Sequence, residues 1–355
     1  MTLKHFPLAA LASVLPPMKP NLVKGMLLIA LISTLAIPLV SRGQTTVFQD
    51  TFANGSTLNP TSAVTPTSNK TAYEIASSKT ASTTTLTGGL LTLSTNATSS
   101  GYTEAQAQFI DNADAITLSS AGQYIEVYAT FNDTTNLFNG TAGQNEQLVT
   151  GLYDSGGTPL TDGANLWAGG LTSASTTEAT GDAQNWLGYT GNIAYSLTAD
   201  QSSAIDSRGA QTLATNEDQG LGEGSGTSLT GVGSNSSSSF PFPTLTSGQA
   251  YTVAMQIVYL SPTSDYITES LLTGAGLAGT VLYTYNVTTG SVLTDTFDSL
   301  DIGYRPTGGS ATTVPISDIT VVEGLTSVPE PSTYALLGLV MLGAGLFRRR
   351  LLKRA

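Results

Sequence analysis

The sequence predicts an all-β fold, a β-sandwich, and three observations carry the expectation. Short runs of alternating or continuous apolar residues recur along the middle of the chain. Turn signals rich in Gly, Asn and Asp separate them. No long stretch between residue 44 and the C-terminal tail repeats with the 3.6-residue period of an amphipathic helix.

The runs come in this order. Thr46-Val-Phe-Gln-Asp-Thr-Phe52 opens the series, and Gly89-Leu-Leu-Thr-Leu-Ser94 follows. Gln123-Tyr-Ile-Glu-Val-Tyr-Ala-Thr-Phe131 sets Ile125, Val127, Ala129 and Phe131 on one face. Gln147-Leu-Val-Thr-Gly-Leu-Tyr153 ends in the turn Asp154-Ser-Gly-Gly157. Tyr251-Thr-Val-Ala-Met-Gln-Ile-Val-Tyr-Leu260 is apolar on both faces, which predicts a central strand. Val281–Val287 and Ile316–Val322 close the series, and the first and last runs are expected to pair as neighbours. Residues 200–248 contain Gly220-Leu-Gly-Glu-Gly-Ser-Gly226 and the serines 236–239, so a flexible surface excursion is expected there. Residues 57–68 have the same loose character.

Composition removes most catalytic chemistry. The 355-residue chain has no Cys and a single His, His5, which falls in a leader segment. Disulfides, thiolate nucleophiles, Cys-ligated zinc and His-dependent triads are therefore not expected in the mature protein. The formal net charge is −12, but it is unevenly spread. Residues 1–43 hold Lys4, Lys19, Lys24 and Arg42, residues 332–355 hold Arg348, Arg349, Arg350, Lys353 and Arg354, and neither end has an acid. The body keeps only Lys70, Lys79, Arg208 and Arg305 against all 25 acids, a net charge of −21. Such a body repels nucleic acid, so no nucleic-acid partner is expected.

The N-terminal segment, residues 1–43, reads as a secretory signal. Lys19 and Lys24 precede the apolar run Gly25–Ile37, Pro38 ends it, and the small residues Ser41 and Gly43 place cleavage after Gly43. The Sec translocon and signal peptidase are the implied partners. Met18, followed by Lys-Pro-Asn-Leu-Val-Lys24, reads as an alternative start.

The C-terminal segment, residues 328–355, has three parts. Val328-Pro329-Glu330-Pro331 is held extended by its two prolines. An apolar run from Thr333 to Phe347 follows, about 22 Å long as helix, and then the basic cluster Arg348, Arg349, Arg350, Lys353 and Arg354. The run is read as a transmembrane helix and the cluster as its cytoplasmic lock. In this three-part order the segment resembles the PEP-CTERM sorting signal of bacterial exosortase systems. The resemblance implies processing by a membrane exosortase near Pro329-Glu330-Pro331. It also implies a secreted or cell-surface destination, with transient anchoring in the inner membrane.

The body between, residues 44–327, is similar to concanavalin A-like jelly-roll domains of surface proteins. The segments Asp50-Thr-Phe-Ala-Asn-Gly55, Gly151-Leu-Tyr-Asp-Ser-Gly-Gly157 and Asp301-Ile-Gly-Tyr-Arg-Pro306 carry the similarity. A jelly-roll-like sandwich with a structural or adhesive role is the reading, with no catalytic residues assigned. One alternative is a carbohydrate-binding, lectin-like module using Trp167, Trp186 and Tyr189, with extracellular polysaccharide as partner. A second is a glycoside hydrolase, which needs two facing carboxylates. No strand shows two carboxylates at the spacing of a jelly-roll hydrolase, and Glu126 stands alone between Tyr124 and Tyr128.

Structural calcium is a candidate cofactor, with Asp154, Asp162, Glu217, Asp218, Glu223, Asp295, Asp298 and Asp301 as available oxygen donors and no EF-hand spacing. Gly274-Ala-Gly-Leu-Ala-Gly279 fits a dinucleotide fingerprint by letter, but a strand follows it, so it is read as a hairpin connection. Sequons at Asn54, Asn69, Asn96, Asn132, Asn139, Asn235 and Asn286 mark polar positions.

Overall fold

The computed structural model describes residues 44–53, 72–77, 83–95, 103–133, 145–157, 186–196, 202–209, 229–236, 245–307 and 312–326. The leader, including Gly43, and the sorting segment lie outside the described residues, as do Trp167, Asp162 and the acids at 217, 218 and 223. Among the described residues there is no α-helix, only a 3-10 turn at Asn112–Asp114. No helix there is long and apolar enough to cross a membrane.

The strands, in chain order, are β1 (Thr45–Asp50), β2 (Ala72–Ser77), β3 (Thr83–Thr87), β4 (Leu90–Thr95), β5 (Thr103–Gln108), β6 (Ile116–Thr117), β7 (Gln123–Asn132), β8 (Asn145–Asp154) and β9 (Leu187–Ser196). They continue with β10 (Ser202–Arg208), β11 (Leu229–Ser236), β12 (Ala250–Ser261), β13 (Ser264–Thr273), β14 (Val281–Thr288), β15 (Thr296–Phe297), β16 (Ser299–Thr307) and β17 (Thr312–Leu325). Every run expected from the sequence overlaps one of these strands, although Thr51 and Phe52 lie beyond β1 and Gly89 before β4.

Two large antiparallel sheets result. The eight-stranded sheet runs β14-β13-β12-β7-β17-β4-β3, with β1 also on β17. The seven-stranded sheet runs β11-β10-β9-β8-β16-β5-β2, and β15 with β6 forms a small ribbon. The opening and closing strands do pair: Phe48 stands opposite Val321 and Asp50 opposite Ile319. β17 is long enough to hold β4 along its first part and β1 along its second, on the side away from β7.

Period-2 alternation explains the core. Ile125, Val127, Ala129 and Phe131 of β7, Val253, Met255 and Ile257 of β12, and Ile319 and Val321 of β17 are buried in one cluster. Leu148 and Leu152 of β8, Ile193 of β9, Ile205 of β10, and Leu300 and Ile302 of β16 meet them from the other sheet. β12 is a central strand, as its two apolar faces predict.

One expectation is corrected in part. A flexible excursion is expected over residues 200–248, yet they contain β10 and β11, which extend the seven-stranded sheet, while Gly220–Gly226 and residues 237–244 lie outside the described residues. Ser and Gly obscured the alternation there, because strand pairing asks for register and backbone bonds before it asks for large side chains. Gly274 and Gly276, both at positive φ, lie in the connection from β13 to β14, so the glycine motif is a turn.

Candidate functional site

Two of the three aromatic residues picked from the sequence as ligand contacts, Trp186 and Tyr189, are not at the surface, and the third, Trp167, lies outside the described residues. Trp186 is 0% exposed and Tyr189 1% exposed. Trp186 packs on Tyr153, ring centroids 6.1 Å apart, and its carbonyl accepts a 2.8 Å bond from Arg208 Nη1. Tyr189 points into the sandwich, where its hydroxyl donates to Asp265 Oδ2 at 3.4 Å and accepts from the Leu293 amide at 2.9 Å. Large rings gain most when buried with their polar tips satisfied, and that favours the interior for both. Asp265 itself is pushed up to about 6, mainly by burial.

Two of the acidic candidates, Asp298 and Asp154, are engaged by donors of the protein itself. Asp298 accepts from the Ser155 amide (2.8 Å), Ser155 Oγ (2.6 Å), Ser299 Oγ (2.9 Å) and Asn112 Nδ2 (3.2 Å). Asp154 accepts from the Gly156 amide at 2.8 Å and Thr294 Oγ1 at 3.3 Å. Among the described residues no three Asp, Glu, His or Cys side chains converge as a metal-binding group.

A carboxylate pair that sequence reasoning missed lies on the outward face of the seven-stranded sheet. The register sets Gln106 opposite Asp301 and Glu104 opposite Gly303, so Glu104 and Asp301 are diagonal neighbours on β5 and β16. A spacing rule for two carboxylates on one strand does not reach a pair separated by so much chain. The usable signal was Thr103-Glu-Ala-Gln-Ala-Gln-Phe109, whose small and aromatic residues alternate inward with polar ones outward.

Tyr153 and Glu104 lie over glycines on this face. A Cβ on Gly151 would meet the Tyr153 hydroxyl, and one on Gly303 would lie 2.5 Å from Glu104 Cγ. Burial, then the Asp301 charge, pushes the Tyr153 hydroxyl well above its ordinary value. Glu104, Asp301 and Tyr153 are all 0% exposed.

The outward face of the eight-stranded sheet is different: partly open and rich in tyrosine. One row across it is Gly324, Tyr124, Val258 and Tyr266; the next is Val322, Glu126, Gln256, Thr268 and Asn286; the third is Thr320, Tyr128, Ala254, Ser270 and Thr284. Tyr124 lies over Gly324, where a Cβ would sit 2.7 Å from both its Cε1 and its hydroxyl oxygen. Gln256 Nε2 donates to Glu126 Oε2 at 3.1 Å, and burial pushes the Glu126 carboxyl up to about 7. Asp318, at the side of the face, accepts from Gln49 Nε2 and Thr320 Oγ1, both at 3.0 Å.

Solved structures similar to the chain include an endo-1,3-beta-glucanase from Streptomyces sioyaensis (15% identity, 81% of this chain and 99% of that chain, TM-score 0.40). Peanut lectin with a 9mer peptide (10%, 81% and 100%, TM-score 0.34) and a legume lectin-like domain from Entamoeba histolytica (8%, 70% and 88%, TM-score 0.34) are others. Similarity at this level transfers no ligand and no activity. A search of curated proteins returns no match. Residues 327–350 match the PEP-CTERM protein-sorting motif, which marks an exported surface protein handled by an exosortase.

Proposed function

We propose that this chain is an exported cell-surface or extracellular-matrix protein whose sandwich is the cargo and whose last 28 or so residues are a removable sorting label. The observation that carries the reading is positional. The sorting motif begins at residue 327, directly after β17 ends at Leu325. Thr326 closes the fold: its amide and its Oγ1 both bond the Gly122 carbonyl, at 2.7 and 3.1 Å. A cut in the Pro329-Glu330-Pro331 region would therefore leave every described strand in place.

In this reading the leader through Gly43 directs export by the Sec route, and the Thr333–Phe347 run holds the chain in the inner membrane until the exosortase acts. The body then has a structural or adhesive role without catalysis and without a cofactor. The test is mass spectrometry of the protein from its own host, with and without a working exosortase. Loss of residues after the motif only when the enzyme is present supports the proposal. An intact C-terminus in both strains refutes it.

A further inference from the structure

The geometry points to the outward face of the eight-stranded sheet, centred on Tyr124, Glu126, Gln256 and Tyr128, as the adhesive surface, and to a neutral, hydroxyl-rich polysaccharide as its partner. This rests on the adhesive reading above and names the site and ligand class for it.

Three features carry the inference. The first is shape. Gly324 leaves room for the Tyr124 ring to lie over it, and the electron-rich face of an aromatic ring attracts the electropositive C–H side of a sugar ring. Tyr128 stands four residues along the same strand, about 13 Å away, so a second ring is available to a polymer but not to a single sugar. The second is the polar set between the rings. Glu126 and Gln256 are joined to each other at 3.1 Å and supply acceptor and donor groups at one place, flanked by the hydroxyls of Thr268, Ser270 and Thr284. A small number of fixed polar groups beside apolar rings is how a site orients a neutral polar ligand. The third is charge. The three rows hold Glu126, Asp318 borders them, and no Lys, Arg or His lies in them. With no cation on the face, nothing there pairs with the charges of a uronic-acid polymer or a phosphate-bearing surface, whereas a neutral glycan needs no such partner.

The experiment uses the mature protein released by its host, run by affinity electrophoresis through gels containing dextran, galactomannan or xyloglucan, with alginate as the anionic comparison. Retardation by at least one neutral polymer and none by alginate is expected. Tyr124→Ala should weaken that binding at least tenfold. Thr268→Arg, which puts a bulky cation at the centre of the face while leaving Tyr124, Glu126 and Gln256 in place, should do the same with an unchanged melting temperature. Undiminished binding in both variants would leave adhesion standing and overturn this face as its site. No retardation of the wild type by any of the three polymers would overturn both. A dimer that Tyr124→Ala converts to monomer would show the face to be a contact between copies and would also overturn the inference.

Discussion

Glu269 of β13 and Gly191 of β9 face each other across the interior of the sandwich: a Cβ at position 191 would lie 2.8 Å from Glu269 Oε1 and 3.3 Å from its Cγ. Glu269 is 0% exposed, and among the described residues neither of its carboxyl oxygens has a hydrogen-bond partner. Gly191→Ala should therefore overpack the contact and lower stability by about 1–3 kcal/mol, read as a shift in the denaturant midpoint at constant slope.

The same carboxyl sets a pH dependence. Burial, and then the nearby Asp206 charge, pushes Glu269 well above its ordinary value of 4.5. Tyr285, on the neighbouring strand β14, is in turn raised by burial and by the Glu269 charge. The folded protein then holds a proton that the unfolded chain gives up above about pH 4.5, so stability falls as pH rises from there. Glu269→Gln should flatten that decline, seen in melting temperatures collected between pH 4 and pH 9. A wild type that gains stability over that range would contradict the assignment.

Glu126 adds to the decline with the same sign in a bounded window. Its carboxyl is raised to about 7, so the loss falls between its ordinary value of 4.5 and 7. Partial exposure of the side chain trims the loss to about 1–2 kcal/mol. Glu126→Gln should gain on the wild type by that amount between pH 4.5 and 8, and its amide can still bond Gln256.

Asp298 shows what the sequence could and could not reveal. The acids at 295, 298 and 301 were visible as a spaced set, but spacing alone cannot assign them to separate environments. Asp298 clasps the corner after β8, Asp301 joins the polar layer on the seven-stranded sheet, and Asp295 sits in the turn before β15. Alternation made the apolar strands legible, and the pairing of β1 with β17 followed from their end positions. β2, β3, β5, β9, β10 and β11 escaped, because Ala, Gly, Ser and Thr carry little periodic signal and only neighbouring strands define them; the short β6 and β15 and the longer β13 and β16 escaped as well. Trp186 and Tyr189 misled for a related reason: their flanking glycines suggested a loop, whereas Gly188 is a place where Tyr153 packs close, its Cδ1 2.6 Å from where a Cβ would be. The C-terminal sorting motif was legible, and residues 327–350 match it, since a sorting signal is read as a linear peptide and needs no tertiary partner.

Asp298→Ala should be among the most damaging single changes outside the apolar core. It strands the Ser155 amide and the hydroxyls of Ser155 and Ser299 in a buried corner, and a cost of about 3–5 kcal/mol is expected. Because protein donors already occupy this carboxylate, EDTA should leave the wild-type melting temperature unchanged. A drop of several degrees on chelation, restored by calcium, would show instead that a cation site elsewhere supports the fold.

The final prediction concerns where the chain can be cut. β17 lies in the middle of its sheet, bonded to β7 on one side and to β4 and β1 on the other. Its C-terminal half carries Ile319 and Val321, both 0% exposed, and Val322 at 2%. A stop codon after Thr326 removes nothing from the described strands, so the truncated and exosortase-processed proteins should melt within about 1–2 °C of each other, the equivalent of a few tenths of a kcal/mol. A stop after Asp318 removes the partner of β1 and opens the core under Phe48, which stands opposite Val321. Burying those apolar side chains contributes about 1.5–3 kcal/mol apiece, against a total stability of about 5–15 kcal/mol for a domain. That truncation should yield no cooperative melting transition, and limited proteolysis should degrade it completely under conditions that leave the Thr326 form intact.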